Sequence, residues 1–194
     1  MAFIVLEGFS GTGKTTLAKE LEGRGWLRLT ESAHAVPSMV PLAERADTFA
    51  DYSLLGATMV HSAVISKSRE TRNIVSEGYM LSDLAYARIR HDLKTSECFP
   101  AMLAFCRDML THDNLRPDLY ILLQARPDTI EMRQQGKDSR NRNVTEFFRT
   151  HYYSTLTEIH QMLGENQVER VDTDSDTSLT LQKILEVLKK RNVV

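Results

Sequence analysis

Long apolar runs, net charge and cysteine pairs are scarce in this chain, and each scarcity closes off a class of function. No apolar run approaches the ~20 residues of a membrane span, and the first residues pass straight into a strand pattern with no secretory leader. A cytoplasmic protein with no membrane partner is the expectation. Lys and Arg total 24 against 26 Asp and Glu, a net charge of −2, so bulk electrostatics give no reason to expect a nucleic-acid partner. Cys98 and Cys106 fall in one predicted helix, where their spacing corresponds to about 12 Å of rise, too far for a disulfide. Reduced thiols are expected. The six histidines never pair at ligand spacing, so no zinc site is expected. No internal repeat or low-complexity segment divides the 194 residues, and the length fits a single domain over 1–194.

What is present starts at the beginning of the chain. Gly8-Phe9-Ser10-Gly11-Thr12-Gly13-Lys14-Thr15-Thr16 follows the apolar run Ala2-Phe3-Ile4-Val5-Leu6 and precedes the helix-forming Leu17-Ala18-Lys19-Glu20-Leu21. The pattern G-x-x-x-x-G-K-[ST] means a phosphate-binding P-loop only in this order of strand, loop and helix. Average residue frequencies produce the pattern by accident in roughly 1% of chains this long, and the flanking elements lower that further. Gly8, Gly11 and Gly13 keep side chains out of the way, so the amides of residues 8–16, Ser10, Thr12 and Thr16 included, can point inward. The helix start adds its positive dipole end. Lys14 supplies a point charge for β and γ phosphates, and the Thr15 hydroxyl is placed to ligate Mg2+ on the same oxygens.

Further along, Trp26-Leu27-Arg28-Leu29-Thr30 alternates as a short strand and ends at Glu31. Ligands bind beyond the carboxyl ends of strands in open α/β sheets, which makes Glu31 a site candidate; a solvated loop carboxylate is the competing reading. Residues 46–69 predict a helix with Leu55, Met59 and Ala63, flanked by Val60 and Val64, as its apolar face. On it Phe49, Tyr52 and His61 have the reach to meet a ligand, though aromatic residues at helical spacing are more often core. Asn73-Ile74-Val75-Ser76 predicts a third strand ending at Glu77, where a hard carboxylate oxygen opposite Thr15 suits magnesium. Helices are predicted over 82–93 and 100–111, a buried parallel strand over Leu119–Leu123, and a helix from Pro127 that carries Arg133. Arg133, Lys137, Arg140 and Arg142 then fall within ten residues around Gly136. In a chain with a P-loop this reads as a lid over about 133–143, whose arginines stabilise charge on a moving phosphoryl group; a solvated basic turn is the alternative. An amphipathic helix through Phe148, Tyr152, Leu156, Ile159 and Leu163, a strand at Val168–Val171 and a final helix with Leu181, Ile184, Leu185 and Leu188 complete the chain. Five strands alternating with helices imply an α/β fold: a parallel sheet covered on both faces.

With these residues in view, the chain resembles the thymidylate kinases within the P-loop nucleoside and nucleotide kinases, along nearly its whole length. The opening Phe3-Ile4-Val5-Leu6-Glu7-Gly8 with Gly11-Thr12-Gly13-Lys14-Thr15-Thr16 is similar to the family's. Glu77-Gly78-Tyr79-Met80-Leu81-Ser82-Asp83-Leu84-Ala85-Tyr86 resembles its D-R-Y-x-x-S-x-x-A-Y segment, and Pro117-Asp118-Leu119 with the Arg133 to Arg142 loop resembles its fourth strand and lid. The resemblance implies strand order 2-3-1-4-5, ATP and Mg2+, often a homodimer, and a lid-supplied arginine where the P-loop lacks one, as here. Three family arginines are absent: Gly78, Met59 and Thr30 stand in their places. Each would help to bind a monophosphate dianion, for which guanidinium is suited. Glu77 with Ser82-Asp83 is also similar to the E-R-S-x-x-S-D segment of deoxynucleoside kinases, and Glu31 lies near the glutamate those enzymes use as base.

The resulting expectation is ATP-dependent transfer of a phosphoryl group to a nucleoside monophosphate, with a nucleoside or other small alcohol as the alternative acceptor. Lys14, Arg133, Arg140 and Arg142 would act on the phosphates, Thr15 and Glu77 on magnesium, and Glu31 or Glu77 on an acceptor hydroxyl. A nucleotide sensor without catalysis is the rival from another class.

Overall fold

The first strand shows how the core is divided. β1 (Phe3–Glu7) is buried along its whole length, and its side chains alternate between two hydrophobic clusters, Phe3 and Val5 in one, Ile4 and Leu6 in the other. A strand apolar on both faces has to lie inside a sheet covered from both sides. The structure, a computed structural model, describes residues 1–37, 40, 46–135, 146–164 and 167–193, the side chains of 146–149 excepted. Around β1 lie β2 (Leu27–Leu29), β3 (Ile74–Glu77), β4 (Leu119–Gln124) and β5 (Val168–Asp172) in a parallel sheet of order β2-β3-β1-β4-β5. That is the predicted order. On the Ile4 and Leu6 side, α1 (Lys14–Glu22) contributes Leu17 and Leu21, and α7 (Thr177–Lys190) contributes Leu181, Ile184 and Leu188. The Phe3 and Val5 side is covered by α3 (Met80–Asp92), α4 (Phe99–Met109) and α6 (Glu146–Met162) through Leu84, Met102, Tyr152 and Leu156. Cys98 and Cys106 are free and buried. No helix among the described residues is long and apolar enough to cross a membrane.

The helix α2 (Thr48–Ser68) differs from its predicted face. Met59, Val60 and Val64 are exposed, as are Phe49 and Tyr52, while Ala50, Asp51, Leu54, Ala57, Thr58, Ser62 and Ile65 are buried. The reason is polar pairing. Asp51 meets Arg90 of α3, and the Thr58 hydroxyl donates to Asp83 of α3 at 2.8 Å. A buried carboxylate must be partnered, so those two residues choose the inward face against the count of apolar side chains.

Strand order reverses at β1, which has β3 on one side and β4 on the other. A crevice opens at such a switch point, outside the carboxyl ends of the strands. Glu7, Gly8 and Glu77 stand there, and α5 (Pro127–Gln134) follows from the end of β4.

Candidate functional site

The loop after β1 folds as its glycines require. At Gly8, with φ +152°, a Cβ would come within 2.7 Å of both the Leu123 carbonyl oxygen and Thr12 Oγ1, so no larger residue fits. Thr12 closes the turn, its amide and hydroxyl both donating to the Phe9 carbonyl at 3.2 and 2.8 Å. α1 begins at Lys14 with no side chain capping its first turn. Open amides and the positive dipole end of a helix favour an anion at that position. Lys14 is 8% exposed and its ammonium donates to the Gly8 carbonyl at 2.6 Å. The charge thus waits beside the loop. Ser10 offers its carbonyl to Gln134 Nε2 at 2.9 Å, which ties the loop to α5.

Thr15 and Glu77 are brought together. The Thr15 hydroxyl donates to Glu77 Oε2, and Arg28 Nε donates to Glu77 Oε1 at 2.6 Å. No group of three or more His, Cys, Asp or Glu able to hold a metal occurs among the described residues. The donor set nevertheless fits Mg2+, which is usually held by one or two protein oxygens together with substrate phosphates and water. The Thr15 hydroxyl would ligate it, and Glu77 would anchor its water shell.

On the other side of the loop, Gly11, Gly13, Thr16, Arg133, Thr173 and Ser175 line part of a cavity of about 280 Å³. Arg133 reaches the residue just past β5 and donates to the Thr173 carbonyl at 2.6 Å, so it stands at the cavity wall. Arg140 and Arg142, with Lys137, lie outside the described residues. Glu31 follows β2, half-buried, at the start of a short 3-10 turn (Ser32–His34).

Sequence reasoning missed the buried acids beneath this crevice. Glu7 is fully buried; its Oε2 accepts from the Ser82 hydroxyl, which lies 3.1 Å from the Tyr152 hydroxyl, and Oε1 has no hydrogen-bond partner among the described residues. Burial above all pushes its carboxyl up to about 8, against the Ser82 bond and the Lys14 charge. Asp83 accepts from Ser32 Oγ at 2.8 Å and from Thr58, and burial raises it to about 7, with Glu31 adding in the same direction. For Glu7 the available signal was an acid in the last position of an otherwise apolar strand.

Glu7 makes a prediction for stability. Its folded carboxyl titrates above the unfolded one, so its contribution is complete below about 4.5 and is lost as pH rises through about 8. Glu7→Gln removes the titration. Its melting temperature relative to wild type should therefore climb between pH 6 and pH 9, by an amount equivalent to roughly 3 kcal/mol. Melting curves of both proteins at the two pH values measure this, and a pH-independent difference contradicts it.

The three positions without arginine have distinct environments. Gly78 has φ +72°, a left-handed conformation that disfavours any other side chain. Met59 is 53% exposed and Thr30 is exposed at the strand end. Among the described cations on the β1–β3 side of the crevice, Lys14 is held by loop carbonyls, Arg28 by Glu77 and Arg90 by Asp51.

A five-stranded sheet of this order with a P-loop after its central strand is the fold of the P-loop nucleotide kinases, and solved structures agree. A thymidylate kinase from Candida albicans superimposes with a TM-score of 0.75 at 16% identity, covering 99% of this chain and 92% of that one. A deoxyadenosine kinase from M. mycoides, with dCMP and a flexible dCDP bound, gives 0.65 at 17% identity over 97% and 98%. The same kinase with dCTP bound gives 0.67 at 17% over 97% and 99%. No family model matches the chain, and no curated protein does.

Proposed function

We propose that the protein is an ATP-dependent kinase whose acceptor is the hydroxyl of a nucleoside. The observation that carries the acceptor is that the crevice offers carboxyl groups and, among the described residues on its β1–β3 side, no open guanidinium. Glu7, Glu31, Glu77 and Asp83 gather at the ends of β1–β3 and the start of α3, while the described cations there are engaged. A monophosphate dianion binds best to open guanidinium groups; a neutral sugar hydroxyl binds to carboxylates. The amides of residues 8–16 and Lys14 bind the β and γ phosphates, and the base of the donor occupies the cavity beside Arg133 and Thr173. Glu31 takes the acceptor proton as the oxygen attacks the γ phosphorus and the bond to the β-phosphate oxygen breaks, releasing ADP. Magnesium would be ligated by the Thr15 hydroxyl, with Glu77 anchoring its water shell, and would supply neutralisation of the triphosphate oxygens. Arg140 and Arg142, which lie outside the described residues, are assigned on the sequence to stabilising charge on the transferring group.

A nucleoside monophosphate acceptor is the second reading, favoured by the higher superposition score of the thymidylate kinase. A coupled ADP-release assay with ATP, Mg2+ and a panel of nucleosides and their monophosphates separates the two. Nucleosides are expected to stimulate turnover at least tenfold more than their monophosphates. Stimulation by monophosphates alone reverses the acceptor assignment. ATP-analogue binding with no stimulation by any acceptor points to a non-catalytic nucleotide sensor.

A further inference from the structure

Arg28 belongs to none of the groups that the sequence singled out, yet it occupies one oxygen of the candidate metal carboxylate. It sits on the edge strand β2, opposite Val75 of β3. Residues two apart on a strand share a face, so from that register its side chain reaches diagonally to Glu77. There Nε donates to Oε1 at 2.6 Å, and the guanidinium also stands 3.6 Å from Glu22 at the end of α1. Its side chain is 15% exposed and that of Glu77 1%, so this is a positioned pair with little water between. The second oxygen of Glu77 accepts from the Thr15 hydroxyl.

A bare carboxylate beside a divalent ion tends to ligate it directly. With Arg28 on one oxygen and Thr15 on the other, Glu77 is neutralised and both of its oxygens are engaged. We infer that Arg28 is a positioning residue for the metal-nucleotide site: it holds Glu77 as the acceptor that orients the Thr15 hydroxyl and keeps that carboxylate from binding magnesium directly. It thereby sets how tightly the ion is held. This rests on the kinase reading above, since the ion arrives with the nucleotide. The charge change decides the direction. Removing the guanidinium leaves an unneutralised carboxylate within reach of a divalent ion in a poorly solvated position, where the attraction is strong.

The test is Mn2+ titration, followed by electron paramagnetic resonance, of the full chain with ADP or a non-hydrolysable ATP analogue. Arg28→Met is expected to tighten Mn2+ about tenfold, and Arg28→Lys, which keeps the charge, to stay near wild type. The melting temperature of Arg28→Met should fall without metal and recover more than wild type does when metal and nucleotide are added. Glu77→Gln isolates the route. In that background Arg28→Met should leave Mn2+ affinity unchanged, because the carboxylate through which it acts has lost its charge. Unchanged or weaker Mn2+ binding in Arg28→Met, or the same tightening with Glu77→Gln present, overturns the inference while leaving the kinase reading intact. If Arg28→Met fails to fold, Arg28→Gln against Arg28→Lys makes the same comparison. No nucleotide-dependent Mn2+ binding by the wild-type chain defeats the kinase reading, and this inference with it.

Discussion

Lys14→Ala is expected to lower acceptor-stimulated turnover about 10³-fold while leaving the protein folded. Removing one preorganised donor from developing charge typically costs 10²–10³ in rate. Lys14 carries a full charge as well, in a site where it is only 8% exposed and little screened. Its ammonium lies against the Gly8 and Phe9 carbonyls at 2.6 and 3.5 Å, within the loop where the phosphates are proposed to sit. When a triphosphate enters, those weak partners are exchanged for anionic oxygens. Alanine at the first position of α1 keeps helix propensity at its maximum, so the melting temperature should change little. Lys14→Arg should not restore turnover, because a planar fork cannot replace a compact point charge in so close a loop. Steady-state kinetics with each variant, beside its melting curve, gives the answer; substantial turnover in Lys14→Ala removes the loop from the mechanism.

Arg90→Met is expected to produce the largest loss of stability. Arg90 on α3 is 1% exposed and Asp51 on α2 is 0% exposed; Arg90 Nε lies 3.2 Å from Asp51 Oδ2, and a second guanidinium nitrogen donates to Oδ1. Breaking such a pair strands a charge in the interior, at about 3–5 kcal/mol. For a chain of this size that corresponds to roughly 6–20 °C in melting temperature. Adding Asp51→Leu should recover most of the loss, since replacing both partners with apolar groups of similar volume is often close to neutral. Thermal melts of the single and double variants decide it, and equal destabilisation in both means that the pair is not what holds α2 against α3. The single variant should also raise the KM for the acceptor more than it lowers kcat. The same two helices hold Thr58 and Asp83 at their 2.8 Å contact beneath the crevice.

Much of this architecture was legible before any coordinates. The glycines, Lys14 and Thr15 mark the loop because their roles are local: backbone clearance, one cation and one hydroxyl at fixed offsets along a few residues. The alternation of strands with helices predicted the parallel sheet, and the resemblance supplied the strand order that the pairings show. Glu77 was legible as well, as an acid ending a strand beside the loop.

The face of α2 was not legible. Its apolar residues surround the helix, so Met59, Val60 and Val64 competed with Leu54, Ala57 and Ile65 on equal terms. Asp51 and Thr58 decided between them by meeting Arg90 and Asp83, neighbours that lie 39 and 25 residues away.

By itself the sequence determined the glycine-rich loop between β1 and α1, the class of sheet and the carboxylate at the end of β3, all of which follow from short-range spacing. Tertiary structure alone decided that Glu7 and Asp83 are raised to about 8 and about 7, and that Arg28 pairs with Glu77 across 49 residues. Burial and charge pairing depend on what the chain brings back from a distance. A carboxylate's chemistry is therefore set by its neighbours in space, even where its position is set by its neighbours in sequence.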